Sequence, residues 1–136
     1  MTDLDEDLLV RVKAAYRDVI GDPDAFRAEA AGLVLKARQS GDPEALCLSL
    51  RASAWADRYA LEHQHALELL NEAVRIARRH RLSHVLGEVL VTRGAVQHEL
   101  GRLSAARRDF DAAEQLVPPD AVAELTIQRA TLLYNQ

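Results

Sequence analysis

The chain has 136 residues, 49% of them hydrophobic and 28% charged, a composition that supports one apolar core and excludes a disordered chain. A net charge of −4 argues against a nucleic-acid surface, which normally gives a basic balance. The single cysteine, Cys47, rules out an internal disulfide; no apolar run approaches the length of a membrane span, and "MTDLDEDLLV" is acidic where a secretory signal is basic, so the expected location is cytoplasmic.

Apolar residues recur at helical spacing almost throughout. Leu8, Leu9, Val12, Ala15, Tyr16, Val19 and Ile20 mark a first helix over 3–20, with Thr2 and Asp5 as a capping-box start. "GDPDAF" at 21–26 and "GDPEAL" at 41–46 then repeat one punctuation. In each, glycine ends a helix in the left-handed conformation, aspartate caps the next, and proline takes its first position, where a missing N–H costs nothing. A phosphate-binding loop would need more glycines and a preceding strand, and the sequence has neither. The same reasoning gives helices over 23–39, 43–60, 64–80, 84–100, 104–116 and 120–135, with Ser83 and Ser104 as candidate caps. No run alternates with period two, so no β-sheet is expected. Cys47, inside "EALCLSL", reads as a small buried hydrophobe.

About seven helices joined by tight turns form either an up-down bundle or a solenoid of hairpins, and internal repetition favours the second. Residues 87–120 place Gly94, Gly101, Leu103, Ala106, Phe110, Ala113 and Pro118 at the spacing of a tetratricopeptide repeat, and this stretch resembles that family. It departs from the family at Arg93, where leucine is preferred, and at Gln97, where tyrosine is. Residues 47–86 form a weaker copy through Ala54, Ala66, Leu70 and Ala73; residues 7–46 form a degenerate one; residues 121–136 match the first helix of a further repeat. The resemblance implies an all-α, right-handed solenoid of antiparallel helical hairpins in one domain over 1–136. The Arg-rich repeats and the joint "KARQSGDPEAL" also resemble the helical arrays that precede caspase-like CHAT domains, or lie in large regulators, of actinobacteria. That closer likeness implies a regulatory or scaffolding segment that contacts its own downstream domain.

A tetratricopeptide array binds a peptide or a partner domain in a concave groove lined by the first helix of each hairpin. Carried onto this chain, that groove takes Arg11 from the first repeat, Arg51, Trp55, Arg58 and Tyr59 from the second, Glu88, Thr92 and His98 from the third, and Gln128 and Tyr134 from the last. Trp55 between two arginines reads in two ways: an aromatic platform for a ligand, or a side chain packed on a neighbouring helix. The two-carboxylate clamp of chaperone-binding members is not carried over, because its lysine and asparagine positions hold Arg11, Ala15, Ala52, Glu88 and Thr92. His63 with His65, and His80 with His84, read as surface histidines, since neither pair has a third ligand and rings two apart on a helix diverge. Arg75, Arg78, Arg79, His80 and Arg81 read as a solvated helix end or as a docking patch for an acidic partner or domain; no catalytic constellation is legible, and no cofactor is implied. The apolar residues of 120–135, with no following helix, predict a homodimer through that segment.

Overall fold

The computed structural model describes residues 3–116, which form six α-helices: α1 (Asp3–Gly21), α2 (Pro23–Ser40), α3 (Pro43–Tyr59), α4 (His63–Arg79), α5 (Ser83–Glu99) and α6 (Leu103–Glu114). No strand occurs among the described residues. The expected seventh helix, 120–135, lies outside them, as do Pro118, Gln128 and Tyr134 and the dimer contact expected there. The ends of the six sequence-derived helices within the described residues agree with the structure to within two residues.

The joints explain the agreement. Asp42 caps α3, its carboxylate accepting hydrogen bonds from the backbone N–H of Glu44 at 3.0 Å and Ala45 at 3.4 Å. Gly41 takes the left-handed conformation, φ 75°, that closes α2. At the first copy of the punctuation, Asp22 caps α2 through the Ala25 N–H at 3.2 Å, but Gly21 stays inside α1. Asp22 N–H reaches back to the Asp18 carbonyl at 2.9 Å, so the helix runs on, and the chain turns at Asp22 itself, φ −149°. Ser83 and Ser104 are not caps. Leu82, one residue before Ser83, and Arg102, two before Ser104, hold the N-cap positions without a side-chain bond, and their carbonyls accept from Leu86 and Ala106 N–H.

Those positions shift because α3, α4 and α5 all end in one closure. In each, a left-handed residue donates its N–H three residues back, and the next residue donates five back: Leu61 to Arg58 with Glu62 to Asp57, Arg81 to Arg78 with Leu82 to Ala77, and Gly101 to His98 with Arg102 to Gln97. The closure leaves no room for a separate capping residue before the next helix. Glycine fills the left-handed position only at Gly101; Leu61 and Arg81 occupy it at φ 63° and 56°.

Consecutive helices pack as antiparallel hairpins, and α3 also packs on both α1 and α5. Helix α3 therefore has neighbours on every side, and each residue from Cys47 to Asp57 is buried. The Cys47 thiol donates to the Ala73 carbonyl at 3.4 Å, and burial, reinforced by the nearby charges of Glu72, Glu44 and Asp42, pushes its pKa up to about 12. Ala54, Ala66, Leu70, Ala73, Ala106 and Ala113 are all fully buried, and Leu103 packs at the edge of the same core.

The tightest approach is at Gly94. The ring of the fully buried Phe110 lies on it so closely that a β-carbon there would stand 2.4 Å from Cε1 and 2.8 Å from Cδ1. Two substitutions test this account of the fold. Alanine at 94 gains about 1 kcal/mol of helix propensity but overlaps a ring that has nowhere to go. Gly94→Ala is therefore expected to lower stability by about 1–3 kcal/mol in denaturant titration, with part of the loss recovered by adding Phe110→Leu; a more stable single variant would refute the contact. Leu61 is 78% exposed, so its side chain contributes little packing. Leu61→Gly removes a left-handed penalty of roughly 1–2 kcal/mol at the expense of a freer unfolded chain, and is expected to raise stability by about 0.5–1 kcal/mol in the same titration.

Candidate functional site: the face of the first helices

The face shared by α1, α3 and α5 carries a row of aromatic and arginine side chains. Arg51, with its side chain only 8% exposed, places its guanidinium carbon 3.5 Å from the centre of the Tyr16 ring and donates from Nη1 to Glu88 Oε2 at 2.8 Å. Tyr16 meets Trp55 edge-on at 5.9 Å between ring centres, and Trp55 meets Tyr59 at 6.1 Å. Arg58 stacks on the other side of the row, 4.5 Å from the Trp55 centre, and pairs with Glu99, which also meets His63 Nε2 at 3.1 Å. The two arginines thus tie α3 to α5 while the rings tie it to α1. Guanidinium suits both tasks, since it stacks flat on a ring and forks into a carboxylate in its own plane.

Next to Arg51 the face opens into a cleft of about 330 Å³. Helix α1 contributes Val12, Lys13, Tyr16 and Arg17, α3 contributes Leu48 and Arg51, and α5 contributes Glu88. The helical repeat puts Lys13 and Arg17 one turn apart on the edge of α1, with Tyr16 between them. Lys13 lies 4.0 Å from Glu44, and Arg17 has no ion-pair partner among the described residues.

The residues expected to share one groove are only partly brought together. Arg51 and Glu88 meet in the cleft. Arg58 and Tyr59 lie farther down the same face, where they line a second hollow with Leu61 and Glu99, and Tyr59 is exposed. Arg11 is elsewhere, in a hollow of about 560 Å³ between the start of α1 and the end of α2. Thr92 is fully buried and its hydroxyl donates to the Glu88 carbonyl one turn back at 3.4 Å, so it faces its own helix and not a ligand. His98 is half-buried near the end of α5. Trp55, left open between platform and packing, belongs to the core: it is 7% exposed and clusters with Val19, Ala30, Ala52 and Ala56, with Tyr16 and Phe26 at the edge. Its indole N–H is buried without a hydrogen-bond partner.

Several polar links had no counterpart in the sequence reading. Arg93, one of the departures from the repeat pattern, forks onto buried Asp109 at 2.9 and 2.7 Å and reaches Asn71 at 3.1 Å, joining α4, α5 and α6. Asp57, buried in α3, accepts from Arg27 of α2 at 2.9 Å and meets His65 of α4 at 2.6 Å. Arg38 holds both oxygens of Glu72, and that pairing keeps the Glu72 carboxyl below its usual range. His63 and His65 thus point to different carboxylates, as their spacing predicts, and His80 and His84 are exposed. Among the described residues no group of three or more His, Cys, Asp or Glu is placed to hold a metal ion, and no helix is long and apolar enough to cross a membrane. The chain matches no family model, no curated protein and no solved structure.

The burial of Trp55 makes a sharp prediction. Trp55→Ala empties a site enclosed by α1, α2 and α3 and is expected to cost about 3–5 kcal/mol. Trp55→Phe keeps most of the ring and removes the unsatisfied N–H, so its cost should stay below about 1.5 kcal/mol. Chemical denaturation of both variants measures this; an alanine variant as stable as the parent would put Trp55 back on the surface.

Proposed function

We propose that the chain is a protein-interaction module: a tetratricopeptide-like solenoid whose α1/α3/α5 face receives an extended peptide segment or a partner domain. The observation that carries the reading is the cleft itself. It spans three helices that are first in their hairpins, it has the size of a binding hollow, and charged and aromatic groups converge on it. Arginine and tyrosine are among the side chains that most often anchor protein interfaces, and both are presented there on helices rather than on loops. The contacts of α1 with α3 and of α3 with α5 support a solenoid, because stacked hairpins bring their first helices side by side.

The test is selection of peptides from a random displayed library on the immobilised chain, followed by mapping of the selected peptides by amide chemical-shift changes. Shifts concentrated at Val12, Tyr16, Leu48 and Arg51 are expected. A library that yields no binder, or binders whose shifts fall on α2 and α4, would refute the reading.

A further inference from the structure

The chain as a whole is acidic, yet the cleft beside Arg51 is not. Three cations, Lys13, Arg17 and Arg51, line it against one carboxylate, Glu88. The four play different parts. Arg51 is buried, stacked on Tyr16 and fixed in direction, so it is a preformed seat. Its seat already holds a carboxylate, that of Glu88, at 2.8 Å. The Glu88 side chain is 27% exposed, so its carboxylate borders water. Lys13 and Arg17 stand on the exposed edge of α1.

We propose that the cleft binds an acidic peptide segment, one of whose carboxylates displaces Glu88 from Arg51, so that Glu88 is a built-in competitor that sets the affinity. The proposal rests on the interaction-module reading and names the chemistry of its ligand. Exchange on Arg51 is one carboxylate for another and is nearly neutral. The net attraction comes from Lys13 and Arg17, which the ligand engages and to which no contact of Glu88 is directed. Such an arrangement disfavours neutral segments, because they bring no carboxylate to take the place of Glu88 beside Arg51. It also disfavours basic segments, which meet Lys13 and Arg17 at the rim, Arg17 without an ion-pair partner among the described residues and Lys13 held only loosely by Glu44 at 4.0 Å.

The probe is a fluorescein-labelled ten-residue peptide with glutamates alternating with serine and glycine, measured by fluorescence polarisation beside its glutamine and lysine counterparts. The glutamate peptide is expected to bind, and the other two to bind at least about 10-fold more weakly. Glu88→Gln should tighten the glutamate peptide by about 3- to 10-fold, since the competitor's charge is gone. Lys13→Ser with Arg17→Ser, both exposed positions, should weaken it about 10-fold, and Arg78→Ser on α4, with the same sign of charge change at a remote surface, should leave it unchanged. Raising the salt concentration should weaken binding in the parent more than in the Lys13/Arg17 double variant. The glutamine peptide binding as well as the glutamate peptide would overturn the proposal, as would an Arg78→Ser effect equal to that of the rim pair, or tighter binding of a single-stranded oligonucleotide of equal charge. If library-selected peptides map to this face but are neutral or basic, the ligand chemistry fails and the interaction module stands; if nothing maps there, both fail.

Discussion

Helix α3 is the constraint on which the rest of the structure depends. It is enclosed by α1, α2, α4 and α5, and its buried stretch includes two formal charges, Arg51 and Asp57. A buried charge without a partner is far more costly than the gain from any exposed pair, so each of these must be met from a neighbouring helix. Asp57 is met by Arg27 from α2 and His65 from α4, and Arg51 by Glu88 from α5 and the Tyr16 ring from α1. Four different helices are thereby addressed by two residues. Apolar packing fixes which faces meet, as at Gly94 and Phe110; these pairs add a polar requirement that each neighbour meets at one register.

The same demand connects architecture to the candidate site. Arg51 is in the cleft because it is in the hub helix, and it is rigid because it is buried. A groove cation on an exposed, mobile side chain would give up conformational freedom on every binding event, whereas Arg51 has already given it up on folding. The row Arg51, Tyr16, Trp55, Arg58 and Tyr59 is part support and part surface: Trp55 and Arg51 are buried, and Tyr59 is exposed.

What the sequence made legible, and what it did not, divides by range. Helix ends were readable because caps and left-handed glycines act within four residues, as Asp22, Asp42, Gly41 and Gly101 do. The tight slot at Gly94 was readable because a missing side chain inside an apolar helix implies a close neighbour, although its occupant, Phe110, lies on the paired helix α6. Leu61 and Arg81 hid two left-handed joints, since neither residue type favours that conformation. Arg93 read as a departure from a repeat pattern, and its sense came only from Asp109, 16 residues on. The pairs made by Arg51, Arg58 and Arg27 span 37, 41 and 30 residues, and no local rule reaches that far. For Trp55 the sequence could not separate core from groove, because both readings need the same face of α3; the depth at which α1 and α2 cover it decides.

The central claim is that α3 is the hub whose enclosure and internal charges hold the other helices in place. Native-state hydrogen exchange measured amide by amide tests it most directly. The account predicts that the amides from Cys47 to Asp57 exchange only through global unfolding, with one free energy that matches denaturant titration, while amides in α1 and α6 exchange through smaller openings. Exchange of the α3 amides at a lower free energy than those of α1 or α6 would contradict it.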